Sequence, residues 1–128
     1  MPLETVILRA VGDTNVGAVT VKLTGSLDTA TAPELYRQLS SLLAEAINYL
    51  VFDLAHLKFI SSAGLRVFAM ARKQLKERGG QALFVNMQPQ IQDVFEVIKS
   101  LPGVAALKDM AELDRFLAER QQAHQKKP

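Results

Sequence analysis

Cysteine is absent from the 128-residue chain, which excludes disulfides, thiolate nucleophiles and cysteine-based metal sites. Nothing therefore calls for an oxidising compartment, and the expected location is the cytoplasm. No apolar run approaches the ~20 residues that a membrane-spanning helix needs. The opening "MPLETVILRA" sets Glu4 inside its first apolar run and lacks the basic-then-apolar order of a secretory leader. Direct membrane insertion is not expected. An excess of one charge is missing too. The formal net charge is +2, but Arg120, Lys126 and Lys127 lie in the last nine residues, and residues 1–119 carry 12 basic and 13 acidic side chains, a net of −1. With two tyrosines and no tryptophan, the chain also lacks the basic, aromatic-studded surface that would suit nucleic acid.

Catalytic motifs are equally scarce. A nucleophile elbow needs Gly-x-Ser-x-Gly, and around Ser62 only Gly64 fits, because Ile60 stands at the first glycine position. The two histidines, His56 in a surface loop and His124 in the polar tail, make poor partners for a triad. Neither "SSAG" nor "TGSLD" has the glycine run and following Lys-Ser/Thr that cradle a nucleotide's phosphates. Asp53 and His56 have no third ligand nearby in sequence. No enzyme is read here, and no cofactor or metal.

What the chain does contain is a regular alternation of elements. "TVILRAVG" and "VGAVTVKLTG", separated by "GDTN", predict an antiparallel hairpin with Val19, Val21 and Leu23 on one face. Thr31 and Glu34 stand at capping-box spacing with Pro33 in the first turn, so a helix should start near Ala32 and bury Leu35, Leu39, Leu42 and Leu43. "YLVFDL", residues 49–54, reads as a central strand covered on both faces. "AGLRVFAMARKQLKERGG" predicts a helix with Leu65, Phe68, Ala69 and Leu75 apolar and Gly79-Gly80 as its stop. "QALFVNM" follows as a buried strand, and "PQIQDVFEVIKSL" as a helix with Ile91, Val94, Phe95 and Ile98 on one side. "GVAAL" is a short candidate strand, and "DMAELDRFLAERQQ" reads as a last helix started by Asp109 with Glu112 three residues on. The expectation is one domain over residues 1–119, an α/β layer structure with a mixed sheet whose later strands are parallel, and a disordered polar tail over 120–128.

The junction "KFISSAGLRVF" holds two hydroxyls at a predicted helix start. One serine suffices as N-cap, an interaction worth about 1 kcal/mol. The other is left as an accessible hydroxyl beside unpaired N–H groups and the positive end of the helix dipole, a setting that favours an added phosphate of roughly −1.5 to −2 charges.

"KLTGSLDTATAPEL", "VFDLAHLKFISSAGLRVF" and "RGGQALFVNMQPQIQDVFEVIKSLPGV", in this order, resemble the anti-sigma factor antagonists built on a STAS domain, from about Val6 to Leu117. The resemblance implies a mixed sheet of four to five strands with about four helices packed mainly on one side. It also implies a switch. The unphosphorylated protein binds an anti-sigma factor with serine kinase activity and so frees a sigma factor; phosphorylation ends the complex, and a metal-dependent serine phosphatase resets it. By position the phosphoacceptor is Ser62, with Ser61 as alternative, because Ser61 replaces the family's usual aspartate and Ala63 its second hydroxyl. The resemblance likewise implies partner-binding positions at Ser26, Asp28 and Thr29 of one loop with Ile60, Ser61, Ser62, Gly64 and Leu65 of the other. Asp28 or Thr29 can equally serve only to stabilise the turn. A different role for the same domain is that of accessory subunit of a lipid-transport ATPase, or of a signalling scaffold, without phosphorylation.

Overall fold

The computed structural model describes residues 3–9, 18–100 and 110–125, apart from the side chains of 97–100, 110–113 and 124–125. Strict alternation in "AVTVKLTGSL" makes β2 (Ala18–Leu27), with Val19, Val21, Leu23 and Leu27 buried and Lys22 and Thr24 exposed. β1 (Leu3–Arg9) pairs with it antiparallel, Ile7 opposite Val21. β3 (Tyr49–Ile60) and β4 (Gln81–Val85) then add in parallel, so the sheet order is β1-β2-β3-β4. α1 (Ala32–Leu43) and α2 (Ser62–Glu77) make the crossovers that parallel strands require. α3 (Pro89–Ser100) and α4 (Met110–Gln125) complete the fold. The predicted turn "GDTN", the strand "GVAAL" and the Asp109–Glu112 cap, with Ile98, lie outside the described residues and side chains.

The helices cover one face of the sheet. Leu50, Phe52 and Leu54 are buried, whereas Tyr49 is exposed and Val51 and Asp53 are partly so. β3 is therefore not covered on both faces as "YLVFDL" suggests, because Val51 faces outward with Thr20 and Leu83 in register on either side. β4 is likewise half-covered: Ala82 and Phe84 pack on the core while Leu83 and Val85 are exposed. Phe52 stacks on Phe84 with centroids 5.1 Å apart, and Phe68 tilts against both. Leu35, Leu39, Leu42 and Leu43 of α1 are buried as expected. On α2, Val67 and Ala71 share the buried face with Phe68 and Leu75, and Ala69 points outward instead.

β3 also runs six residues beyond its expected end, and His56 belongs to this strand rather than to a loop. The sequence hides the continuation because two irregularities shift the β2–β3 register, at Lys22/Thr24 and at Gly25/Ser26. Each extra residue on β3 breaks its period-two alternation, so the buried positions run Leu54, Leu57, Ile60. At the first irregularity Asp53 Oδ1 accepts the Ala55 N–H at 3.1 Å and the Asn86 amide at 3.2 Å. The Ala55 bond, then Asn86, holds the Asp53 carboxyl below the usual aspartate range.

The helix ends are set by more than local sequence. α2 stops in a Schellman arrangement, with Gly79 at φ 79°, its N–H on the Lys76 carbonyl and the Gly80 N–H on the Leu75 carbonyl at 2.7 Å. Arg78 then reaches α1's end, donating to the carbonyls of Leu43, Glu45 and Ile47. The predicted capping box at Thr31 does not form: the hydroxyl turns into the preceding loop and Glu34 pairs with Arg37. The helix predicted over "DMAELDRFLAERQQ" runs three residues past Gln122, through Gln125, into the stretch assigned to the polar tail.

A Cβ at Gly80 would lie 2.1 Å from the Asn48 carbonyl oxygen, a backbone atom with little room to move. Gly80→Ala should therefore lower stability by about 1–3 kcal/mol in urea titrations. The depressed Asp53 pKa contributes stability above the ordinary aspartate range, and that contribution is lost as pH falls through the depressed value. Asp53→Asn should flatten the acid limb of a stability–pH curve and leave its slope near neutrality unchanged.

Candidate functional site at the head of helix α2

Two chain segments meet where β2 and β3 end side by side. Leu27 is in register with Ile60, and the Ser61 N–H donates to the Leu27 carbonyl at 2.9 Å. The turn after β2 and the start of α2 are thereby held together. Within that turn Asp28 Oδ1 accepts the N–H groups of Ala30 (3.0 Å) and Thr31 (3.1 Å), an Asx turn. The Thr31 hydroxyl donates to the Ser26 carbonyl at 2.8 Å and accepts the Asp28 N–H at 3.0 Å. Asp28 and Thr31 thus fix the turn, while Thr29 is exposed at its tip. Ser26 lies in the last turn-facing residues of β2, not in the loop itself.

Gly64 explains how α2 approaches so closely. A Cβ there would come within 2.6 Å of Leu27 Cγ and 2.9 Å of Ile60 Cγ1, so it is side chains rather than backbone that need the space. Leu65 is partly buried against the core.

The two serines are not disposed as the sequence suggests. Ser61 is the N-cap, extended at φ −103° and ψ 177°, yet its side chain makes no capping bond. Ser61 Oγ is buried without a hydrogen-bond partner among the described residues, and Ser62 opens the helix. Both residues are buried, Ser61 with 6% and Ser62 with 3% exposure, so neither presents the freely accessible hydroxyl expected. The cap comes from another helix: Asp114 Oδ1 on α4 accepts the Ser62 N–H at 2.8 Å. A carboxylate at this position complements the positive end of α2.

α4 makes a second contact beside the first. Gln121, 1% exposed, accepts the Ile60 N–H at 2.9 Å and donates to the Ile60 carbonyl at 2.8 Å. One side-chain amide thus pairs a strand residue as a neighbouring strand would. Gln88 donates to the Ala55 carbonyl at 2.7 Å and Gln90 to the Lys58 carbonyl at 3.4 Å. Three glutamines therefore serve the edge of β3 that β4, paired only to residues 49–53, leaves open.

Among the described residues no three His, Cys, Asp or Glu side chains converge as a metal site, and no helix is long and apolar enough to cross a membrane. His56 is exposed on β3. Residues 9–111, which include the whole site except Asp114 and Gln121, match the STAS domain family. The chain belongs to the STAS domain family. This STAS chain is 33% identical over 81 residues to BtrV of Bordetella bronchiseptica, a protein named as an anti-sigma factor antagonist, with 63% of this chain and 70% of BtrV covered. Its fold is similar to that of the anti-sigma factor antagonist SpoIIAA in the unphosphorylated form, with TM-score 0.61 and 19% identity over 73% of this chain and 82% of that one. Bacillus SpoIIAA in the phosphorylated form gives 0.60 at 18% identity over the same shares. An anti-sigma factor antagonist from Mycobacterium paratuberculosis gives 0.57 at 23% identity, covering 78% of this chain and 83% of that one. The four-stranded mixed sheet with four helices is thus a SpoIIAA-like STAS fold.

The two segments singled out in the sequence meet at the head of α2, whereas Asp114, Gln88, Gln90 and Gln121 carried no signal there. Polar residues on or beside a helix carry no signal of a distant strand edge. Replacing Gln121 should be costly. Gln121→Leu leaves a buried N–H and a buried carbonyl of Ile60 without partners, at about 1–3 kcal/mol each. The expected result is a stability loss of that order in urea, with amide protection lost first in α4.

Proposed function

We propose that the chain is an anti-sigma factor antagonist whose binding surface is the turn Ser26–Thr29 together with Ile60–Leu65, and whose switch is phosphorylation of Ser62. The observation that carries this reading is the Ser61–Leu27 bond at 2.9 Å, which unites the two loops in one surface at a helix N-terminus. The name and 33% identity of BtrV support it. The partner is an anti-sigma factor with serine kinase activity, and a metal-dependent serine phosphatase removes the phosphate. Catalysis is not assigned to the chain itself.

The mechanism is electrostatic. Unmodified, the two serines at the head of α2 are neutral and buried, and the more exposed Ser26, Asp28, Thr29, Ala63 and Leu65 around them can lie against a partner's surface. A phosphate adds roughly −1.5 to −2 charges there, which inside an interface must be matched by cations or bear the full cost of desolvation. Each ~1.4 kcal/mol lost weakens binding tenfold, so a few such units dissolve the complex. Ser61, where the family has an acid, leaves the acceptor's neighbour uncharged and is itself the alternative acceptor.

A second reading draws on the 3% exposure of Ser62: an accessory subunit of a lipid-transport ATPase, or a scaffold, whose serines are structural. Affinity capture from the source cell separates the two, the first giving a small kinase-like ATPase and the second a membrane ATPase complex. For the first, incubation with the captured kinase and ATP should place a single phosphate on Ser62 by mass mapping. Ser62→Ala should take up no phosphate and hold the kinase equally with and without ATP, and Ser62→Asp should bind about tenfold or more weakly. Phosphate on Ser61 would transfer the switch to that residue; no phosphate on either would favour the structural role.

A further inference from the structure

Phosphorylation at Ser62 requires that a kinase reach a hydroxyl that the fold covers. In that step the Ser62 Oγ–P bond forms as the β,γ-bridging P–O bond of ATP breaks, ADP departs, and the hydroxyl proton passes to a base on the kinase. The acceptor oxygen must stand in line with the leaving group. A residue with 3% exposure does not offer such an approach.

One side chain of α4 reaches the backbone of this serine. Asp114 on α4 is bound to the Ser62 N–H at 2.8 Å, the position where a helix N-terminus holds an anion. We propose that α4 is a detachable cover over the head of α2, and that the Asp114 carboxylate and a phosphate on Ser62 exclude one another. The proposal rests on the reading of Ser62 as the switch and adds what controls access to it.

Three observations converge. A dianionic phosphate attached to the residue whose N–H already binds a carboxylate brings like charges together in a partly buried site, where water screens them poorly. Ser61 Oγ is buried and has no hydrogen-bond partner among the described residues, a polar group that water would serve wherever an opening admits it. Among the described side chains of α4, the other holds lie farther along it: Leu117 in the core, Gln121 on Ile60, and Arg120 with Asp93 of α3 at 2.7 Å. Lifting the Asp114 end can therefore leave these contacts in place. Phosphate then keeps the cover open by occupying its anchor.

The chain's lack of cysteine makes a direct test possible, because Ser62→Cys carries a unique thiol. Alkylation of the native variant by iodoacetamide should be slow and should accelerate about tenfold or more when Asp114→Ala is added, as expected where a local opening controls access. Urea midpoints check that both variants remain folded. Equal rates in the two variants would overturn the cover. The competition is read from hydrogen exchange in α4: Ser62→Asp should speed it, the isosteric neutral Ser62→Asn should not, and Ser62→Asp with Asp114→Asn should return it toward the wild-type rate. Equal α4 exchange in all three would overturn the competition. Should Ser62→Asp unfold the domain, the alkylation pair decides alone. Neither test uses a kinase, so a failed phosphorylation assay would sink the switch while leaving the cover standing.

Discussion

The organisation of this molecule depends on one constraint: β3 is longer than the strand beside it. β4 pairs with residues 49–53, and from Leu54 to Ile60 the same edge of β3 has no described strand to bond. Buried backbone groups cannot be left unpaired, since each costs about 1–3 kcal/mol. The solution uses side chains. Gln88 and Gln90, at the start of α3, take the carbonyls of Ala55 and Lys58, and Gln121 takes both groups of Ile60. The two C-terminal helices are thus positioned by the needs of a strand edge as well as by Ile91, Val94 and Leu117 in the core.

That constraint leads to the functional end of the domain. Because β2 and β3 extend together to Leu27 and Ile60, their ends present the Asp28 turn and the head of α2 on one surface. Because Gln121 draws α4 to Ile60, Asp114 is carried to Ser62. The fold that satisfies β3 therefore covers the serine proposed as the switch. A sheet with one open face completes the picture: Val6, Leu8, Tyr49, Leu83 and Val85 remain exposed on the side away from the helices.

Legibility from sequence followed the range of the interaction concerned. Pro33 at a helix start, the leucine spacing of α1 and the Gly79-Gly80 stop act within one or two turns, and all were readable. The end of β3 was not, because two register shifts disrupt the alternation that marks a strand. Thr31 and Glu34 had the right spacing for a capping box, but the Thr31 hydroxyl found the Ser26 carbonyl and Glu34 found Arg37. Spacing names the bonds a residue can make, and competing partners decide among them.

Sequence alone determined the α/β alternation and the parallel later strands, because these depend on hydrophobic period, turn chemistry and short ordered motifs. Tertiary structure alone decided that the helices leave one sheet face open, that α4 extends through Gln125, and that Ser61 and Ser62 are buried. The physical reason is the same in each case. Burial and hydrogen-bond partnership across 52 residues, as between Ser62 and Asp114, are settled by which elements the whole core brings together. No local propensity encodes them.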